Sequence, residues 1–293
     1  MGIVIGVLEE GMIYGILALG VWITYRILDF PDLSVDGTFP LGAAVSAVLT
    51  LQGMPPVLTL LVAVLAGALA GLLTGFIHVK CKVRDLISGI ITMTALYSVN
   101  LRIAGRSNLP FFTMKTLFDN DFWDSFPLVL QPYTKIIGLL MILLVVKLLL
   151  DWFMHTKAGY LLRAVGDNPT VVATLARDGG AVKIEGLVIA NALVALAGAV
   201  MAQSNRTFEA STGTGALVFG LAAVIIGVNL FKSVGFVKGT TAAIIGSVLY
   251  KACIAVALSM GLLPQDLKLI TAALFLVILV ASNMSRKKAK LHD

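Results

Sequence analysis

Arg163-Ala-Val-Gly-Asp-Asn-Pro-Thr-Val-Val-Ala-Thr-Leu-Ala-Arg177-Asp-Gly-Gly lies between two long apolar runs, near 133–154 and 183–204. Asn168 suits a helix cap, Pro169 a first turn, and Gly179-Gly180 a stop, so the stretch reads as a short surface helix over 168–178. Each flanking run reaches the length of about 20 apolar residues that a membrane span needs. A small capped amphipathic helix between two spans has something soluble to meet. The fold expected is an all-α, polytopic transmembrane bundle with a docking element on one face.

Working outward, further spans fall near 8–27, 37–53, 56–78, 86–104, 213–231, 239–259 and 264–283. With the first two they make nine, within a range of eight to ten, in a single transmembrane domain covering 1–293. Hydrophobic residues are 58% of the chain and charged residues 13%, against roughly 25% charged in a soluble domain. Lys80, Lys82 and Arg84 share one loop; Lys157, Arg163, Arg177 and Lys183 a second; Lys232 and Lys238 a third; the tail Arg286-Lys287-Lys288-Ala289-Lys290 a fourth. Alternating spans bring all four to one side, with Arg26. Basic loops mark the cytoplasm, so the N-terminus is expected outside and the C-terminus inside. The net charge of +6 is then a topological bias and implies no nucleic-acid partner. The N-terminus shows neither a basic region nor a small-residue cleavage site, so no removable signal peptide is expected.

The chain shows no phosphate-binding G-x-x-x-x-G-K-[ST] and no G-x-S-x-G elbow. His78, His155 and His292 are scattered, and Cys81 and Cys253 stand apart, so no metal site is expected. Neither catalysis nor nucleotide binding is expected of this chain.

Leu28-Asp29-Phe30-Pro31-Asp32-Leu33-Ser34-Val35-Asp36-Gly37-Thr38-Phe39-Pro40 puts carboxylates and prolines between two spans. Irregular backbone at membrane depth is tolerated only where protein or a cavity surrounds it. The stretch reads either as a broken helix beside a path, with Asp32 or Asp36 satisfying freed N–H groups, or as a cytoplasmic turn with an Asp cap. Thr92, Thr94, Ser98, Asn100, Asn191, Gln203, Asn205 and Asn229 sit inside apolar runs and read first as interhelical glue. Arg102, Arg106, Asn108, Arg206 and Glu209 gather near the ends of two spans, as headgroup anchors or as a contact for a solute or partner. The extracytoplasmic loop near 105–132, with Phe111, Phe112, Trp123 and Phe126, reads as an aromatic belt or a dock. Small-residue runs such as Ala66–Gly71 and Ala195–Ala199 let helices approach closely.

Tyr14-Gly15-Ile16-Leu17-Ala18-Leu19-Gly20, then Phe39-Pro40-Leu41-Gly42-Ala43, resembles the N-terminal third of bacterial ABC-importer permeases of the branched-chain amino acid and ribose type. Arg163-Ala164-Val165-Gly166-Asp167-Asn168-Pro169, followed by Leu193-Val194-Ala195-Leu196-Ala197-Gly198-Ala199, is similar to their coupling region and next span. The resemblance covers nearly the whole chain. The 27–37 stretch departs from the usual branched-chain pattern; with 90–102 and 263–269 it is similar to a less-characterised subgroup, some of whose members are assigned to tryptophan or other amino acids.

The resemblance implies an ATP-driven importer of a small organic solute, an amino acid (aromatic ones included), working by alternating access in the bacterial inner membrane. It implies a homodimer with the path on its two-fold axis, two cytoplasmic ATPase subunits that bind ATP and Mg, and an extracytoplasmic solute-binding protein, free or lipid-anchored. This chain needs no cofactor of its own. Carried onto these residues, the ATPase contact falls on Asn168, Pro169, Val172, Leu175 and Ala176, rimmed by Arg163, Asp167, Arg177 and Asp178. The path is expected at Asp36, Thr38, Asn100 and Gln203, and binding-protein docking at Arg102, Arg106, Asn108, Arg206 and Glu209. The alternative is an ion-coupled secondary transporter, which would use Asp32 and Asp36 as midplane carboxylates.

Overall fold

Apolar runs punctuated by small residues become nine α-helices among the described residues of the computed structural model. Those residues are 2–120, 123, 131–167, 178–231, 237–259 and, beyond them, 269, 271–273, 275–277 and 280. Helix α1 (Gly2–Val21) continues as a π-helical turn, Trp22–Ile27; α2 is Val35–Leu51, α3 Pro56–Val79 and α4 Asp85–Ala104. Then come α5 (Thr134–Met154), α6 (Lys157–Asp167), α7 (Gly179–Asn205), α8 (Ala216–Leu230) and α9 (Gly239–Ser259). Two short strands, β1 (Asn108–Pro110) and β2 (Thr207–Glu209), pair antiparallel with Leu109 opposite Phe208.

Seven helical segments are long and apolar enough to cross a membrane among the described residues, and α2 is a shorter apolar eighth. The span expected at 264–283 and the surface helix at 168–178 lie largely outside the described residues. Two boundaries move appreciably, and the first span, expected from 8, begins at Gly2. The span expected from 183 begins at Gly179, because the Asp178 carboxylate accepts a hydrogen bond from the Gly180 N–H at 2.8 Å and caps α7. The glycine pair thus opens a helix.

Helix α7 is the central pillar, and α1, α2 and α3 pack against it through glycine. Water-driven burial has little force between helices in lipid, so close backbone contact has to hold them. Each helix of the pair α2 and α7 supplies a glycine: a Cβ on Gly42 would overlap the Ala195 carbonyl, and one on Gly198 the Phe39 carbonyl. Gly67 and Gly71 of α3 lie in the same way against Asn191 and Leu187. The opposite face of α3 exposes Leu61, Leu65, Leu69, Leu72 and Phe76, an apolar stripe at helical spacing suited to lipid. The runs of small residues therefore face protein and the leucines face outward, as the sequence pattern requires.

The short sheet closes one end of the bundle. Helix α4 stops at Gly105, in the left-handed region at φ 72°, and the chain turns into β1; α7 ends at Arg206, φ 54°, and turns into β2. This is the sheet end of the bundle. Helix α6 lies at the other end, where Gly166 meets the Ile27 carbonyl and Leu162 packs beside Gly186.

Candidate functional site

Between α1 and α2 the chain breaks inside the bundle. The π-helical turn closes with the Leu28 N–H donating to the Ile23 carbonyl at 3.0 Å, and Asp29 then adopts a left-handed φ of 51°. Residues 28–34 double back, and α2 opens at Val35 against the middle of α7. Single π turns concentrate at functional sites because they displace backbone groups from the regular ladder.

Backbone freed at that depth needs partners, and four side chains supply them. Asp32, fully buried, accepts from the Ser34 N–H at 2.9 Å and from Asn191 Nδ2 at 2.8 Å. Asn191 Nδ2 also donates to the Leu187 carbonyl at 3.1 Å, while its Oδ1 accepts from Ser34 Oγ at 3.1 Å and Thr38 Oγ1 at 2.7 Å. Asn191 is thereby saturated. The network ties the broken segment and the start of α2 to the pillar helix.

Asp36, one turn on, performs a different task. Helix α8 starts after Gly215, which has no side chain with which to cap it. The Asp36 carboxylate reaches across and accepts from the Gly215 N–H at 3.0 Å and the Leu217 N–H at 2.8 Å. A negative charge is also favoured at a helix N-terminus. Pro40 brings no N–H to the Asp36 carbonyl four residues back, and Gly213 fits against that carbonyl where a Cβ would overlap it.

Beside this junction lies a cavity of about 340 Å³ lined by Asp36, Gly37, Pro40, Tyr97, Asn100 and Thr214. Asn100 is 1% exposed; its Nδ2 donates to the Gly37 carbonyl at 3.0 Å, and among the described residues its Oδ1 has no hydrogen-bond partner. An unmet buried acceptor costs about 1–3 kcal/mol, so this oxygen is an open position for a donor.

Of the four residues expected on a path, Asp36 and Asn100 share that cavity. Thr38 belongs to the Asn191 network, and Gln203 lies nearer the sheet end. There Gln203 Nε2 donates to Thr59 Oγ1 at 2.7 Å, the Pro56 carbonyl at 3.1 Å and Ser46 Oγ at 3.2 Å, and Oε1 accepts from the Leu117 N–H at 3.0 Å. Sequence reasoning treated Asn191 as one polar residue among several, yet it is the hub. The available signal was its position midway along the longest small-residue span; its pairing with Asp32 comes from the fold.

The sheet gathers the second group. Asn108 stands opposite Glu209, and Arg206 donates to the Phe112 carbonyl at 3.1 Å and pairs with Asp119. Arg102 and Arg106 are exposed at the adjoining end of α4. Of the third group, Asn168, Pro169, Val172, Leu175, Ala176 and Arg177 lie outside the described residues. Arg163 sits over the Tyr160 ring at 5.9 Å, Asp167 ends α6, and Asp178 caps α7.

Residues 3–281 match the family described as branched-chain amino acid transport system / permease component. The chain is 44% identical over 282 residues to a tyrosine transport system permease protein of Clostridioides difficile, covering 96% of this chain and 92% of that one. It is 25% identical to a ribose import permease protein of Haemophilus influenzae, covering 81% of this chain and 72% of the relative. Among solved structures, PsaBC from Streptococcus pneumoniae in complex with Fab is similar at a TM-score of 0.50 and 14% identity, covering 93% of this chain and 89% of that one; at that identity the likeness concerns the fold alone. With the family matched from end to end and a helical, multi-pass architecture to carry it, the chain belongs to the ABC-transporter permeases of the branched-chain amino acid type, inner-membrane transport subunits rather than enzymes.

Proposed function

We propose that this permease imports an amino acid, aromatic ones included, by alternating access along a path between two copies of the chain. The similarity to a permease named for tyrosine, extending over nearly all of both chains, supports that solute class. The observation that carries the path is the cavity where Asp36 and the unpartnered Asn100 Oδ1 meet. A solute ammonium or hydroxyl passing there supplies the missing donor.

The sheet end faces outward in this reading, as the basic loops require. Arg102, Arg106, Asn108, Arg206 and Glu209 then receive a solute-binding protein. At the cytoplasmic end the 168–178 segment, rimmed by Arg163, Asp167 and Asp178, contacts an ATPase subunit. That subunit binds ATP and Mg, and closure of its dimer biases the bundle between inward-facing and outward-facing states. The network around Asn191 lets α2 move with α7 as one body while the 28–34 joint bends.

Proteoliposomes holding the permease, its ATPase and its binding protein test this directly. ATP-dependent uptake of labelled L-tyrosine, L-tryptophan or L-leucine is expected. Uptake should fall at least tenfold in Asn100→Leu with ATPase assembly intact, and Leu175→Glu should leave hydrolysis running without uptake. Undiminished transport after alanine replacement of Asp36, Thr38, Asn100 and Gln203 together would remove them from the path.

A further inference from the structure

A second cavity, about 420 Å³, opens between α1, α8 and α9 on the other side of the Thr214 turn from the Asn100 cavity. It holds an arrangement that packing alone does not require. Lys251 projects from the middle of α9, an apolar helix, and its ammonium contacts Glu10 of α1 at 2.8 Å. The Lys251 side chain is 14% exposed and that of Glu10 54%. A lysine placed within a membrane-crossing helix is costly and marks function more often than structure.

The surroundings are selective. Lys251 Nζ sits 4.1 Å from the centroid of the Tyr14 ring and 5.1 Å from that of Phe219. Such rings stabilise a cation without neutralising it. Glu10 is the one oxygen partner of Lys251 given by the structure among the described residues, so an ammonium with three donors retains capacity for another acceptor. Val218, Ile254 and Leu258 form the apolar wall of the same cavity. A cation and an anion in contact at one end, with an apolar wall beside them, complement a molecule carrying the opposite charges one carbon apart and an apolar side chain. Its volume falls in the range of roughly 300–1,000 Å³ usual for small-molecule sites.

We propose that this cavity binds a zwitterionic amino acid with an apolar or aromatic side chain, its carboxylate on Lys251 and its ammonium on Glu10. The proposal rests on the amino-acid importer reading and adds a subsite distinct from the Asn100 cavity. The free site is already electrically paired, so it stays neutral while empty. The solute exchanges one short ion pair for two, keeping the total charge at zero, which suits a site where Lys251 is largely buried and Glu10 lies at the open side. The charge pair selects for amino acids as a class, and the apolar wall selects the side chain. Thr214 lines both cavities, so a solute leaving this one has a single turn of chain between it and Asn100.

The test is equilibrium binding of tritiated L-tyrosine, L-phenylalanine and L-leucine to the full chain in nanodiscs. Tyramine, which lacks the carboxylate, and 3-(4-hydroxyphenyl)propionic acid, which lacks the ammonium, serve as competitors. Each analogue should bind at least tenfold more weakly than L-tyrosine. Lys251→Met and Glu10→Gln should each lose tenfold or more. The double exchange Glu10→Lys with Lys251→Glu should recover the melting temperature without recovering affinity, which separates recognition from structural support. No binding of any of the three amino acids, equal binding of both analogues, or unchanged affinity in Lys251→Met overturns the subsite. ATP-driven uptake by the parent and by Lys251→Met separates the two readings: full uptake in both removes this subsite and leaves the importer standing, while no amino-acid uptake by the parent removes the importer reading itself.

Discussion

Replacing Asn191 with alanine strikes the network that ties the 28–34 segment and the start of α2 to α7. The substitution deletes four hydrogen bonds, to Asp32, the Leu187 carbonyl, Ser34 and Thr38. Thr38 keeps the Ser34 carbonyl as an acceptor at 3.0 Å, and neutral interhelical bonds in membranes average only about 0.6 kcal/mol. Asp32 decides the size of the effect. It is fully buried and would retain the Ser34 N–H alone; a hydrogen bond to a charged group is worth about 1.5–3 kcal/mol. The expected cost is about 2–4 kcal/mol. For a chain of this size that is a melting temperature lower by roughly 3–7 °C, on the scale set by soluble domains. Heating in nanodiscs followed by size-exclusion chromatography measures it. The double variant Asp32→Ala with Asn191→Ala removes the stranded carboxylate as well, so its loss should fall short of the sum of the single losses by about 1–2 kcal/mol. An Asn191→Ala protein that melts with the parent, or strict additivity in the pair, would refute the claim that these side chains form one unit.

Other substitutions separate packing from function. Gly42→Leu drives a side chain into the Ala195 carbonyl; overpacking costs about 1–3 kcal/mol or more, and loss of folded protein on size exclusion is expected. Gly53→Ala meets no neighbour and should cost only the left-handed strain, about 1 kcal/mol. Gln203→Leu strands the Leu117 N–H while Ser46 and Thr59 can pair with each other at 3.2 Å; faster hydrogen exchange at Leu117 and a loss of about 1–3 kcal/mol should follow. Arg206→Gly loses an exposed ion pair worth about 0–1 kcal/mol but relieves a left-handed residue by about 1 kcal/mol. Melting should hold or rise while uptake delivered by the binding protein falls.

The architecture was legible wherever composition and spacing act locally. Long apolar runs locate spans because each needs only its own residues to satisfy its backbone, and Gly67 and Gly71 announce a close contact because small residues let helix backbones approach in lipid. What the sequence could not reveal is pairing at a distance. Asp36 caps α8 from 179 residues away, and Asp32 finds Asn191 at a separation of 159. A carboxylate before a helix reads as its own cap until the fold shows whose N–H groups it serves. Gln203 and Asn100 look alike in sequence, as amides in apolar runs. One is saturated and one is left open, a difference made entirely by their neighbours.

The same pairing bears on what drives the transporter. A proton-coupled carrier would use Asp32 or Asp36 as the group that takes up and releases the ion. Both oxygens of each carboxylate accept from N–H donors, Asp32 from Ser34 and Asn191, Asp36 from Leu217 and Gly215. An N–H cannot accept a proton in return, so protonating either residue removes the charge that strengthens the contacts holding the 28–34 segment to α7 or capping α8. A cycle run that way would loosen the bundle once per turnover. In the proposed ATP-driven cycle neither carboxylate has to take up a proton, so both sets of contacts can persist. Uptake in proteoliposomes should therefore persist when a protonophore collapses the gradient with ATP present. Asp36→Asn, which keeps one acceptor for α8, should lose about 1 kcal/mol of stability and retain ATP-driven uptake. Uptake that fails with the gradient while ATP stays high would shift the driving role to these carboxylates.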